Sequence, residues 1–331
     1  MADAGRAELS VADHVEGVRR GDRAVLARTI TLIESRAPVH ADKAAAVLAA
    51  LAPAAGGSIR VGITGVPGVG KSTFIEALGM HLIDAGHRVA VLAVDPSSTV
   101  SRGSILGDKT RMERLSREPR AYIRPSPTAG TLGGVTRRSR ETILVCEAAG
   151  FDVVLVETVG VGQSEVAVRS MVDAFLLLML TGAGDELQGI KKGVIELADA
   201  IVVHKADGDN LDAARRTRAD FESALRYLAP ATEGWTTRAL TASSVTGEGV
   251  AEVWETVDEF VAATRQSGAF ERRRRAQVLD WLRSMVEQRL VGRFEAHDGV
   301  RALRPEVEAA VLDGRLSVPA AVDRLLERYE S

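Results

Sequence analysis

Gly65-Val66-Pro67-Gly68-Val69-Gly70-Lys71-Ser72 satisfies the pattern G-x-x-x-x-G-K-[ST] at every fixed position. Its flanks agree with it. The apolar run Ile59–Thr64 reads as a strand, and Phe74, Ala77, Leu78, His81 and Leu82 follow at helical spacing. A strand that enters a glycine-rich turn and then a helix makes a phosphate cradle. Gly65, Gly68 and Gly70 let main-chain N–H groups turn toward phosphate oxygens with no Cβ in the way. The helix N-terminus adds partial positive charge. Lys71 can bridge the β- and γ-phosphates, and the Ser72 hydroxyl can bind Mg²⁺. Gly65, Val66, Pro67, Gly68, Val69, Gly70, Lys71, Ser72 and Thr73 are therefore candidate nucleotide-binding residues, with Lys71 also catalytic.

The alternation continues along the middle of the chain. Strand candidates are Ile59–Thr64, Arg88–Val94, Ala121–Arg124, Phe151–Glu157, Ala174–Leu180, Ala200–His204 and Thr237–Thr241. Several are apolar nearly throughout, as parallel strands buried on both faces are. Loops and helical patterns separate them. The expected fold is α/β: a doubly wound, mostly parallel sheet forming a P-loop NTPase core, with helical N- and C-terminal extensions. Residues 1–57 form the N-terminal helical segment, with Val11, Val15 and Val18, then Leu26, Ile30 and Ile33, on helical spacing. Pro53-Ala54-Ala55-Gly56-Gly57 ends it. Residues 58–262 form the nucleotide-binding domain. Residues 263–331 show no strand signal, and Val278, Leu282, Met285 and Leu290 suggest a helix. Arg272-Arg273-Arg274-Arg275 reads as a solvated helix face rather than a dock for an acidic partner.

Composition narrows the class. The 331 residues carry 42 Lys plus Arg against 45 Asp plus Glu, a formal net charge of −3. That balance gives no electrostatic case for nucleic acid or an anionic membrane. One cysteine, Cys146, excludes an internal disulfide and a CxxC metal site, and points to a reducing compartment. The longest strictly apolar run, Ala174 to Leu180, falls far short of the about 18–20 residues that span a bilayer. The opening MADAGRAELS has no signal-peptide pattern, so a cytoplasmic location is expected.

Acids follow the apolar runs at the edge where ligands of open α/β sheets bind. Asp95, after Val91–Val94, can hold Mg²⁺ directly or through water, or cap a helix. Glu157 ends Val153–Val156 where a Walker B acid belongs, a candidate for the metal shell and for catalysis. Glu157-Thr158-Val159-Gly160 resembles the DxxG switch of GTPases with Glu for Asp, and the Gly160 N–H would sense the γ-phosphate. Asp108, behind the polar loop Ser97–Gly107, is a candidate to orient the attacking water, or a helix cap.

His204-Lys205-Ala206-Asp207 follows the strand Ala200–Val203 and resembles the guanine-reading NKxD motif with His for Asn. The Asp207 carboxylate can accept from N1–H and the exocyclic amine of guanine, a donor pair that adenine lacks. The Lys205 stem can cover the base face. The His204 imidazole can donate one hydrogen bond. Ser243-Ser244, after the last strand, would offer main-chain contacts to the guanine O6, or form an ordinary strand-to-helix turn.

GVPGVGKST, VLAVDPSS, GDKTRM, ETVGVGQSE and TGAGDELQGIKKG, in this order, resemble the MeaB/ArgK family of P-loop GTPases. The resemblance covers roughly residues 60–250, and the helical ends fit it. It implies a GTP- and GDP-binding, Mg²⁺-dependent chaperone of adenosylcobalamin-dependent methylmalonyl-CoA mutase, or of a related acyl-CoA mutase. Such a protein gates cofactor loading and protects or reactivates the mutase. It also implies an additional switch at Thr181–Gly193 with Asp185, Glu186 and Lys191 or Lys192 as messengers, and a likeness to metallochaperone GTPases that dimerise across the nucleotide; the helical tail itself suggests a homodimer joined through arms. Read from its residues, that segment is a flexible loop at the ligand edge, or a surface loop with a helix starting near Asp185. No histidine sits in a DxHxxG-type cobalamin motif, so cobalamin is expected on the partner. The position after Gly160 is Val161, not Gln, and Gln163 lies further on, so slow intrinsic hydrolysis is expected until a partner orders the switches. Two other functions compete: an ATPase or kinase coupled to amino-acid transport, and a scaffold with negligible turnover. Asp207 argues against the first, and intact Lys71 and Ser72 against the second.

Overall fold

The computed structural model describes residues 8–35, 37–94, 112–125, 132–158, 164–182 and 192–331. Among these residues seven parallel strands form one sheet: β1 Ile59–Gly65, β2 Val89–Val94, β3 Ala121–Arg124, β4 Val153–Thr158, β5 Ala174–Met179, β6 Ala200–His204 and β7 Arg238–Ala242. Their order is β3-β2-β4-β1-β5-β6-β7. Each sequence-based strand is present within two residues of its expected ends. Every β2, β4, β5 and β6 residue is buried, which explains why these strands read as apolar runs without alternation.

The helices are α1 Val11–Arg19, α2 Arg23–Glu34, α3 Pro38–Leu51, α4 Lys71–Asp84, α5 Glu113–Arg117, α6 Leu132–Ala148, α7 Ser164–Arg169, α8 Lys192–Ile195, α9 Leu211–Leu225, α10 Val250–Gln266, α11 Ala269–Ala296, α12 Asp298–Leu312 and α13 Val318–Glu330. Ser10 and Asp13 start α1 with a reciprocal capping box. Successive strand residues point to opposite faces, so each face has its own core. Val61, Ile63, Leu155 and Leu176 pack with Phe74 and Leu78 of α4 and Phe260 of α10. Ala90, Leu92, Val154 and Phe175 pack with Leu26 and Ile30 of α2, Leu51 of α3 and Cys146 of α6. The N-terminal helices are thus a layer on the second face of the sheet. Among the described residues no helix is long and apolar enough to cross a membrane.

The chain divides into two compact units, Met1–Arg275 and Ala276–Ser331. In the second, α12 and α13 bury Val300, Val307 and Ala321, and Tyr329 meets Phe294 and His297 edge-on. In the first, the arginine run departs from its sequence reading. Arg274 Nε and Nη2 donate to the two carboxylate oxygens of Asp173 at 2.8 Å each, and Arg274 also donates to the Ser58 and Gly56 carbonyls. Arg273 reaches Asp199, Thr232 and the Asp173 carbonyl. Arg272 pairs with Glu233 at 2.8 Å. Asp173 and Asp199 immediately precede β5 and β6, so the run fastens the start of α11 to the strand N-termini. Arg273 and Arg274 do not face solvent, whereas Arg272 and Arg275 are exposed. The sequence hid this because the partners lie far away along the chain.

Candidate nucleotide site

The phosphate loop leaves β1, the middle strand, between β4 and β5. Its three glycines serve different ends. Gly65 (φ 153°) lies against β5, where a Cβ would come 2.5 Å from the Leu178 carbonyl oxygen. Gly70 (φ 93°) lies against His204, where a Cβ would come 2.9 Å from Cε1. Gly68 (φ 80°) has open space around it and serves the turn alone. Val69 is fully buried in the core, so its contribution to the cradle is main chain. Val66 is half-buried, and Pro67, Gly68 and Thr73 are exposed.

Helix α4 starts behind Gly70 with no side-chain cap, leaving its first-turn N–H groups for an anion. The Lys71 ammonium curls back over the loop and donates to the carbonyls of Gly65 (2.7 Å) and Val66 (3.3 Å). Burial pulls Lys71 below the usual lysine range, opposed by the carboxylates of Glu157 and Glu165. The Ser72 hydroxyl donates to Glu157 Oε1 at 3.0 Å. Glu157 is buried at the end of β4, beside Ile63 of β1. A hydroxyl and a carboxylate in contact at the cradle are the hard oxygen donors that Mg²⁺ takes, so these residues fit the ion. Thr158, next along β4, donates to Thr64 at 2.8 Å and pins the two strands together.

β6 brings the next group to the same edge. His204 is buried, with Nδ1 2.7 Å from the Val69 carbonyl and Nε2 2.6 Å from Ser244 Oγ. A carbonyl can only accept, so Nδ1 carries the proton; in the neutral ring Nε2 then accepts from the Ser244 hydroxyl. The neutral ring meets Phe74 edge-on at 5.6 Å. Burial, with Lys205 nearby, pushes the imidazole below its ordinary range, against the pull of the Val69 carbonyl and Asp207. Both ring nitrogens are thus engaged by protein groups. His204 ties the phosphate loop to the loop after β7.

Lys205 has a left-handed backbone (φ 59°), which costs about 1–2 kcal/mol for a residue with a Cβ. Two contacts hold it. Its ammonium donates to the Gly68 carbonyl at 2.9 Å, and Asn210 Nδ2 donates to its own carbonyl at 2.6 Å. Asn210 in turn accepts from Thr181 at 2.7 Å. Sequence reasoning missed Asn210; its signal was an amide side chain just behind a strand-to-helix turn. Asp207, half-buried, accepts a hydrogen bond from the Ser243 hydroxyl. The Ser243 N–H donates to the Glu248 carbonyl at 2.9 Å, so the main-chain donor that the sequence offered to the guanine O6 at Ser243 is already taken within the loop. Asp95, Asp108, Gly160, Asp185, Glu186 and Lys191 lie outside the described residues. Lys192 begins α8.

The edge therefore presents, from β4 through β1 to β6 and β7, an acid and hydroxyl, a phosphate cradle, and a carboxylate held by a serine. The sequence profile of the methylmalonyl-CoA mutase-associated GTPase MeaB matches residues 26–298. A probable GTPase of Mycobacterium tuberculosis is 56% identical over 319 residues, covering 95% of each chain. The GTPase ArgK of Escherichia coli is 46% identical over 97% of each chain. The mouse mitochondrial methylmalonic aciduria type A homolog is 46% identical over 95% of this chain and 78% of its own. A crystal structure described as a LAO/AO transport system kinase superposes with a TM-score of 0.76 at 39% identity, covering 99% of this chain and 100% of its own. With a P-loop on the middle strand and relatives this similar over nearly its whole length, the chain belongs to the MeaB family of methylmalonyl-CoA mutase-associated GTPases.

Proposed function

We propose that this GTPase is a Mg²⁺-dependent, slowly turning, cytoplasmic chaperone of adenosylcobalamin-dependent methylmalonyl-CoA mutase or a related acyl-CoA mutase, with cobalamin held by the partner. The observation that carries the reading is the Ser72–Glu157 contact at 3.0 Å. It joins the phosphate cradle to the strand that runs into the Glu157–Gly160 segment, where loss of a γ-phosphate would be felt. Mg²⁺, held by Ser72 and Glu157 with Asp95, would neutralise charge developing on the phosphates. Lys71 balances charge on the β- and γ-phosphates. Asp207, oriented by Ser243, selects guanine. Lys205 covers the base, and His204 with Ser244 fixes the base loop against the phosphate loop. Asp108 orients the attacking water. Gly160 and the segment with Asp185, Glu186, Lys191 and Lys192 report the nucleotide to the mutase.

The tail, residues 263–331, is proposed as the arm of a homodimer. Leu279, Leu282, Val286 and Leu290 recur every three or four residues along α11 and are 49–57% exposed. That is the spacing of a helix–helix seam.

The test is hydrolysis of GTP and ATP by the purified protein, alone and with the methylmalonyl-CoA mutase of the same organism. Slow GTP turnover that the mutase accelerates is expected. GTP turnover indifferent to the mutase would discard the partner. The likeness to a LAO/AO transport system kinase, at 39% identity, favours one second reading, a kinase linked to transport. ATP turnover exceeding that of GTP would select it.

A further inference from the structure

Among the described residues β7 is an outer strand of the sheet, hydrogen-bonded on one side only, to β6. The Ala242 carbonyl accepts from Ala206 on that inner side. Alternate strand residues turn their main-chain groups to opposite sides, so Ala239 and Thr241 turn theirs outward. Gly249 closes in on the Thr241 carbonyl, where a Cβ would come within 2.0 Å, so that end of the edge is covered. The backbone of Ala239, whose side chain is buried under α9, and Thr237 two residues before it line the floor of a groove of about 570 Å³. Helix α9 walls it on one side and α10 on the other.

The walls carry charge of opposite bias. Arg218 pairs with Glu222 at 2.8 Å, and Arg238 with Glu259 at 2.6 Å. Among the described residues, Glu252 and Glu255 on the α10 wall and Arg226 by the α9 wall have no ion-pair partner. A strand added to β7 would send alternate side chains toward the two walls. One set would meet two free carboxylates. Charge alone also guards edge strands against pairing with copies of themselves. Such a guard needs no groove, however, and would not leave one wall acidic and free.

We infer that β7 accepts an extended basic segment of a partner protein as an eighth strand, its main chain pairing at Ala239 and its Lys or Arg side chains meeting Glu252 and Glu255. This binding mode supplies affinity through main-chain hydrogen bonds and selectivity through alternate side chains. The surface is independent of the nucleotide site and of the mutase reading.

The test uses the full chain and a fluorescein-labelled peptide, Thr-Lys-Val-Lys-Val-Lys-Thr, followed by anisotropy at about 0.1 M salt, where exposed charges beyond roughly 10 Å are screened. Saturable binding is expected. Glu252→Lys with Glu255→Lys should weaken it by about tenfold or more. Ala239→Pro removes the outward N–H and leaves the inner ladder intact, so it should weaken binding while GTP hydrolysis stays unchanged. A peptide N-methylated at its central lysine and the valine after it, one of which turns its N–H to β7 in either strand direction, should fail to bind. Absence of saturable binding would overturn the inference. So would equal binding by the N-methylated peptide or by one with Glu for Lys. Loss of self-association in Ala239→Pro would assign the edge to a second copy and overturn it too.

Discussion

His204 stands where a guanine-reading motif carries Asn, and its ring is spent on protein contacts. Its depressed affinity for a proton has a consequence. As pH falls through about 6.5, the unfolded chain takes up a proton that the folded ring resists, so stability falls until the folded value is passed. His14, also lowered mainly by burial, adds to the same slope. Thermal unfolding at pH 7.5 and 5.5 should therefore show a smaller loss in His204→Asn than in the parent. Equal losses would refute the neutral, tautomer-fixed ring. Lys71→Ala should reduce GTP hydrolysis by about 10²-fold or more, as removing a preorganised charge from a transition state does; unchanged turnover would sink the site. Asp207→Ala should reduce the preference for GTP over ATP by about 10²-fold in competition binding, because only guanine satisfies that carboxylate. Of these residues the motifs announced type and order. They did not reveal that His204 faces Val69 and Ser244, since those contacts join segments that are adjacent only in the folded sheet.

At the scale of elements, the phosphate loop is held by contact as much as by conformation. Gly68→Ala meets no neighbour and should cost only its turn geometry, about 1–2 kcal/mol. Gly70→Ala adds a clash with His204, and Gly65→Ala one with the Leu178 carbonyl, so both should lose more stability and more GTP affinity. Urea unfolding and nucleotide titration of the three variants check the ranking. The opposite edge of the sheet depends on charge. Asp173 is buried, and Arg274 holds both of its oxygens. Asp173→Ala would leave that arginine without its carboxylate at a part-buried site and should cost about 3–5 kcal/mol in urea unfolding. Strand positions were legible because a doubly covered strand must be apolar. The arginine run was misread because a charged run looks the same whether water or buried carboxylates receive it.

At the scale of the molecule, the exposed apolar seam along α11 gives the proposed homodimer a specific test. Leu282→Lys with Val286→Lys should convert a dimer to a monomer in sedimentation velocity while leaving basal GTP hydrolysis in place. A dimer that survives the double change would exclude this seam. The sequence by itself determined the class of fold and the chemistry of its central loop. Strand periodicity, a glycine-rich turn and an acid after a buried strand follow from local covalent and solvation physics. The tertiary structure alone decided the order of strands around β1, the partners of His204 and Lys205, the fastening of the arginine run to Asp173 and Asp199, and the open edge of β7. Each of these depends on which distant segments the sheet makes neighbours, and residue spacing along a chain does not encode that.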